Sequence, residues 1–191
     1  QESGLEENTM VIFTSDHGDH DSAHRLEHKT ALYEEAMRVP FIVSGPGPAR
    51  RGEVENRLVS NGLDLLPTLC DYAGVAPPQG RRGRSLRPLL EGRDCDWREA
   101  VAVECQVGYA VVGPRHKYGL YDEGENREQL YDLEADPYET RNFAGDADKQ
   151  SALERYRELH GRWVSPLEAS RPQTAQKTML RWRYSVGVMF R

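Results

Sequence analysis

The sequence predicts an α/β fold followed by a small antiparallel sheet with a packed helix, and three observations carry that prediction. An apolar, β-branched run at residues 9–14 ends abruptly in a polar loop, as strands of an α/β sheet do. Helix-like and strand-like stretches then alternate to about residue 98. Beyond that point, short strand-like stretches are separated by only a few residues, a spacing that suits antiparallel neighbours and is too short for parallel crossovers.

In order along the chain, Thr-Met-Val-Ile-Phe-Thr at 9–14 reads as a strand of a parallel sheet buried on both faces. Thr30 is placed to cap a helix over 31–37. Arg38-Val39-Pro40 leads into a second strand over 41–44, which Gly45-Pro46-Gly47-Pro48 stops. A short strand is expected at 58–60 and an amphipathic helix over 64–73, closed by Gly74. Strands follow over 100–105, 109–112, 116–121 and 128–133. Asp136-Pro137-Tyr138-Glu139 forms a turn, and Leu153, Tyr156, Leu159 and Trp163 set a helix over 148–163. Residues 165–191 scatter Arg and Lys among Trp, Tyr and Met without a period and read as a tail. The expected organisation is therefore an α/β part at 1–98, an antiparallel α+β part at 99–164 and a tail at 165–191.

Composition narrows the function classes. With 191 residues and 38% hydrophobic content, the chain can bury a core. A net charge of -6 gives no attraction to nucleic acid or to an anionic membrane surface, and no apolar run has membrane-spanning length. The start, Gln1 to Asn8, has neither Met nor a charged-then-apolar pattern, so it reads as the interior of something longer and gives no compartment. Cys70, Cys95 and Cys105 match no zinc or redox spacing and read as buried or idle thiols.

The chemistry concentrates at residues 14–29, where His17, His20, His24 and His28 mingle with Asp16, Asp19, Asp21, Glu27 and Lys29 directly behind the first strand. Carboxylate and imidazole at Asp16-His17 suit a bound cation, and Lys29 suits an anion lying on it. The plainer alternatives are an Asp turn at Asp16, a solvated helix-start lysine at Lys29 and an exposed loop histidine at His24. Asp19, His20, Asp21 and His28 can be drawn as a second metal set, although a solvated loop is the preferred reading. Arg81, Arg82, Arg84 and Arg87, interrupted by Gly80 and Gly83, read as a flexible solvated stretch. Tyr131, Tyr138 and Trp163 sit at core-like positions.

Thr-Ser-Asp-His-Gly at 14–18, His24, Lys29, Tyr33-Glu34-Glu35-Ala36 and Arg38-Val39-Pro40 resemble the C-terminal half of type I sulfatases, in the alkaline-phosphatase-like superfamily. Asp64-Leu65-Leu66-Pro67-Thr68-Leu69, Ala73-Gly74-Val75, Gln129 to Leu133, Asp136 to Glu139 and Arg141-Asn142 extend the resemblance over roughly residues 5–163. It implies the C-terminal part of a sulfatase-like α/β sandwich and a metal-dependent sulfuric ester hydrolase. By that resemblance Asp16 and His17 bind a divalent metal, usually calcium, Lys29 contacts the sulfate, and His24 lies near the leaving-group oxygen.

Such a site suits its reaction, because cations meet charge on the sulfuryl oxygens and His24 can donate to the departing alkoxide. Many sulfatases carry Gly-Glu before the matched histidine, where this chain has Ser22-Ala23. The family nucleophile, a formylglycine made from Cys or Ser in Cys/Ser-x-Pro-x-Arg, is missing, since Ser44-Gly45-Pro46-Gly47-Pro48 ends in Pro48. The expectation is a sulfatase C-terminal fragment acting on a sulfated small molecule or carbohydrate, inactive alone and partnered by an N-terminal half that brings the nucleophile. A phosphonate or phosphate ester hydrolase of the same superfamily, and a non-catalytic anion-binding fragment or partner subunit, are the alternatives.

Overall fold

The computed structural model describes residues 3–48 and 52–166 and the backbone of 167–169 and of Met189–Phe190. Its centre is a four-stranded antiparallel sheet, in the order β4 (Val101–Cys105), β5 (Gly108–Val112), β6 (His116–Tyr121), β7 (Glu128–Asp132). Each strand falls within about two residues of its expected bounds, because the short turns that separate them are a local signal. β5 is buried at every position, so both faces of the sheet are covered. On one face Ala100, Val111, Tyr118 and Leu130 pack against Leu153, Tyr156 and Leu159 of helix α4 (Gln150–Ala169). On the other, Val101, Val103, Ala110, Val112 and Tyr131 pack against Leu32, Met37 and Leu58 from the first third of the chain. The segment behind the polar loop is thus part of the sheet's own core.

The first third departs from expectation in two ways. β1 (Val11–Thr14) pairs with β2 (Phe41–Ser44) antiparallel, Val11 opposite Ser44 and Thr14 opposite Phe41, and among the described residues it has no parallel neighbour. Val11 (58% exposed), Phe13 (60%) and Ile42 (58%) share one open face of this ribbon, and the opposite face is half-buried by the described residues. The helix expected over 31–37 is reduced to α1 (Glu34–Met37), and Thr30 does not cap it. The Leu32 N–H is instead donated to the Tyr121 hydroxyl at 3.0 Å, and the Glu34 N–H to Glu139 Oε2 at 2.8 Å, so contacts to the sheet set where the helix starts.

Helix α2 (Asn61–Tyr72) begins three residues before its expected start, directly after the short strand β3 (Val59–Ser60), which pairs with β8 (Met189–Phe190). Asp64, fully buried, accepts the N–H groups of Ser60 and Arg84 at 2.8 and 2.9 Å and both guanidinium nitrogens of Arg98 at 2.7 and 2.5 Å. The 81–87 stretch is largely exposed at Arg81, Arg82 and Arg84, as a solvated stretch should be, but it is tied to the rest of the protein. Arg82 bonds the Trp163 carbonyl, Arg87 pairs with Asp71 and Glu91, and Gly83 packs so close to the Leu63 carbonyl that a side chain would collide with it. Pro67 lacks the N–H that would bond this carbonyl within α2, which leaves it free for such an approach.

Short helix α3 (Arg87–Leu90) follows. Helix α4 continues through Pro166 to Ala169, so the tail expected from 165 is helical at its start, while 170–188 and 191 lie outside the described residues. Tyr131 is buried and Trp163 partly so, whereas Tyr138 is exposed in its turn and not in the core. All three cysteines are free, and burial pushes the Cys105 thiol up to about 11.

At the end of β7, Asp132 is buried and accepts bonds from Arg115 (2.9 Å) and Lys149 (3.0 Å). Arg115 foremost, with Lys149 and the Ala135 N–H, outweighs the desolvation that opposes them and holds the Asp132 carboxyl well below the usual range. A carboxyl depressed on folding stabilises the protein above its unfolded pKa, and the contribution is lost as pH falls through the folded value. Stability should therefore decline on acidification below about pH 4. Asp132→Asn should cost about 2 kcal/mol at pH 7 and flatten that decline, as urea midpoints at pH 7 and pH 3 would show.

Candidate functional site

β1 delivers Ser15, Asp16 and His17 at its carboxyl end, and the bonds there fix the turn. The Asn61 side-chain amide donates to the Ser15 carbonyl at 2.5 Å, tying the start of α2 to the turn, and Ser15 Oγ donates to the His17 carbonyl at 2.8 Å. His17 Nδ1 lies 2.6 Å from the Gly18 carbonyl, which only accepts, so the ring proton sits there and Nε2 keeps its lone pair. Nε2 stands 3.3 Å from Asp16 Oδ2 and in contact with Lys29 Nζ. Desolvation, the largest single influence, raises the Asp16 carboxyl, but the His17 ring, the His17 N–H and the Ser15 hydroxyl together hold it below its ordinary value. The structure thus brings Asp16, His17 and Lys29 to one point.

A carboxylate oxygen and an imidazole lone pair are two donors of the kind that hold a divalent cation. Among the described residues no third His, Cys, Asp or Glu joins them in a metal-holding group. The residues present fit part of a coordination shell.

His24 makes its contacts elsewhere. Its ring stacks on Tyr33, with centroids 3.7 Å apart and planes 9° from parallel, and its Nε2 lies 3.6 Å from Glu35 Oε2. The backbone around it is strained, since Asp21, Ser22, His24, Arg25 and His28 all have positive φ, from 45° to 73°. Closing bonds compensate, among them the His20 N–H to the His28 carbonyl at 2.8 Å and the Ser22 N–H to the Leu26 carbonyl at 3.0 Å. Ser22, at φ 73°, keeps the left-handed conformation that a glycine takes freely.

Asp19, Asp21 and His28 are exposed, but His20 is not in a solvated loop. It is 1% exposed, edge-on to Tyr33, and burial pushes its imidazole below the usual value, so it is neutral at pH 7. The turn that returns the chain from His20 to His28 tucks the ring inward.

Residues outside the loop hold it in place. Gly18 donates its N–H to the Ala36 carbonyl at 2.9 Å and lies so close to Glu35 that a Cβ would meet the Glu35 carbonyl oxygen at 1.9 Å. Tyr33 is backed by the Tyr131 hydroxyl at 3.5 Å and by Lys117, whose ammonium lies 6.0 Å from its ring centroid. Lys117 is itself buried against Glu139 and Glu34. Lys117, Glu35 and the capping role of Glu139 escaped the sequence reading. The available signal was Lys117 on the same inward strand face as Tyr121, which packs on the core.

Residues 22–161 match the family described as N-sulphoglucosamine sulphohydrolase, C-terminal. The chain is 40% identical over 163 residues to a Delta 4,5-hexuronate-2-O-sulfatase of Bacteroides thetaiotaomicron, covering 80% of this chain and 34% of that protein. A solved 2-O GAG sulfatase is similar with a TM-score of 0.78 and 35% identity, over 95% of this chain and 39% of that one. The phosphonate monoester hydrolase of Agrobacterium radiobacter is similar with a TM-score of 0.72 and 28% identity, over 88% of this chain and 36% of that one. The chain spans about a third of the length of the curated relatives it matches.

Two substitutions test the loop geometry in opposite directions. Gly18→Ala should push α1 away from the loop and cost about 2 kcal/mol or more, while Ser22→Gly should leave stability level or raise it by up to about 1 kcal/mol. Urea denaturation of the two variants checks both, and a harmless Gly18→Ala would contradict the close approach.

Proposed function

Because the chain belongs to the sulfatase family, as a C-terminal portion, we propose that it supplies one wall of a metal-dependent site for hydrolysis of a sulfuric ester. The convergence of Asp16, His17 and Lys29 at the end of β1 carries this reading. Asp16 and His17 would hold a divalent cation. Calcium suits the Asp16 oxygen, while the neutral His17 ring completes the pair. The cation, when bound, supplies positive charge for the sulfuryl oxygens.

This chain's own residues account for the rest. Lys29 is a mobile point charge at the same spot and would bind a non-bridging oxygen. His24, on its separate wall, would give a proton to the departing oxygen. Likeness to a hexuronate-2-O-sulfatase and a 2-O GAG sulfatase supports a sulfated carbohydrate as substrate.

No Cys/Ser-x-Pro-x-Arg occurs in these residues, so the nucleophile would come from another segment. The open apolar face at Val11, Phe13 and Ile42, beside a groove lined by Val39, Phe41 and Leu86, gives such a segment a surface to cover. Likeness to a phosphonate monoester hydrolase keeps a phosphonate or phosphate ester as the second reading, with lower identity behind it.

The test is hydrolysis of 4-methylumbelliferyl sulfate and of a phenyl phosphonate monoester by the protein that carries this chain behind a nucleophile segment. The sulfate should be preferred, and Asp16→Asn and Lys29→Met should each lower kcat/KM about a hundredfold or more. Preference for the phosphonate would favour the second reading, and a Lys29→Met variant of undiminished activity would contradict the assignment.

A further inference from the structure

We infer that Glu35 is a positioning residue that fixes which nitrogen of His24 faces the substrate, with Tyr33 setting the plane of the ring. This rests on the proposed role of His24 at the leaving group. Stacking on Tyr33 at 3.7 Å, with planes 9° apart, leaves the imidazole two orientations related by a flip about its own bond. Glu35 breaks the tie. Its Oε2 is buried, has no hydrogen-bond partner among the described residues, and lies 3.6 Å from His24 Nε2. A buried carboxylate oxygen strongly favours a donor, and the Nε2–H of His24 is a donor one small adjustment away.

With the proton of the neutral ring held on Nε2 by Glu35, Nδ1 is the nitrogen left to face substrate. A proton taken up there is then the one that passes to the departing oxygen as the ester S–O bond breaks. The ring returns to its neutral form with Nε2–H still on Glu35. Histidines oriented by a carboxylate on one nitrogen while the other does the chemistry follow the same logic.

The surroundings explain why Glu35 and no other acid takes this part. His20, buried and neutral, and Asp136 on the turn behind are ionisable groups that feel His24 or Glu35, while Asp19 acts on His20. Glu34, its neighbour in α1, faces Lys117. Glu35 itself is anchored by backbone, because Gly18 packs directly on the Glu35 carbonyl and bonds the carbonyl of Ala36. The loop that carries His24 and the helix that carries Glu35 are therefore held in register by the same contact.

The imidazole 15N shifts of His24, measured in this chain at pH 8, report which nitrogen is protonated independently of any activity. The wild-type chain should show one tautomer, with the proton on Nε2. Glu35→Ala should give a mixture, and Glu35→Gln, which keeps a neutral acceptor, should restore the single tautomer in part. A dispersed amide spectrum confirms that each variant is folded.

In the activity assay of the parent protein, Glu35→Ala should lower kcat/KM for a carbohydrate sulfate at least about tenfold and for 4-nitrophenyl sulfate, whose leaving group needs no proton, by less than about threefold. A single tautomer that survives Glu35→Ala would overturn the inference, and so would equal losses on the two esters. A wild-type protein inactive on both esters would overturn the catalytic role of His24, and with it the substrate-facing part of the inference, whereas the tautomer measurement decides the Glu35 pairing by itself.

Discussion

The arrangement depends on one buried ion pair. Lys117 and Glu139 are each only 1% exposed at the side chain and meet inside the protein, with Glu34 Oε1 3.5 Å from the same ammonium. Burying two charges is expensive, and a pair of apolar residues would serve stability as well. Burial pushes the Glu139 carboxyl up to about 7 even with Lys117 against it. What the pair provides is placement. Glu139, held at φ 51°, also accepts the first N–H of α1, so a turn after β7 and a lysine from β6 jointly fix where α1 begins. Removing Lys117 leaves Glu139 buried without its cation, at a cost of about 3–5 kcal/mol, while removing Glu139 leaves Lys117 with Glu34 alone.

From α1 the order passes outward. Tyr33, just before the helix, is backed by Lys117 and Tyr131 and offers its face to His24. The Glu35 and Ala36 carbonyls receive Gly18, which follows His17 directly. Candidate residues from the N-terminal third are thereby held against the sheet and the turn that follows it about a hundred residues further on, where Glu139 lies 105 positions from Glu34. A strained loop with five left-handed non-glycine residues needs such backing, because surrounding contacts must overdetermine its backbone.

Much of this was legible in the sequence, and the failures have physical causes. The four strands of the sheet announced themselves through short strand-like stretches separated by short turns, and the candidate site through the density of His and Asp after β1. The antiparallel pairing of β1 with β2 was hidden because a continuous apolar run does not encode the direction of its partner. The burial of His20, the short α1 and the ordered Arg82, Arg84 and Arg87 all follow from long-range contacts, to Tyr33, Glu139, Trp163 and Asp64, that no local pattern reports. Tyr138 misled because its motif promised packing, while its turn points it into solvent. Lys117 passed unremarked, since a lysine in a strand normally marks the solvent face.

Hydrogen exchange in a Glu139→Gln variant tests the dependence of the loop on the buried pair most directly. Gly18 and His20 donate their N–H groups to Ala36 and His28 and report on the loop, while Ala110 and Val111 report on the centre of the sheet. The account predicts that Gly18 and His20 lose protection by about tenfold or more relative to Ala110 and Val111. Unchanged protection at Gly18 and His20 in the variant would contradict it.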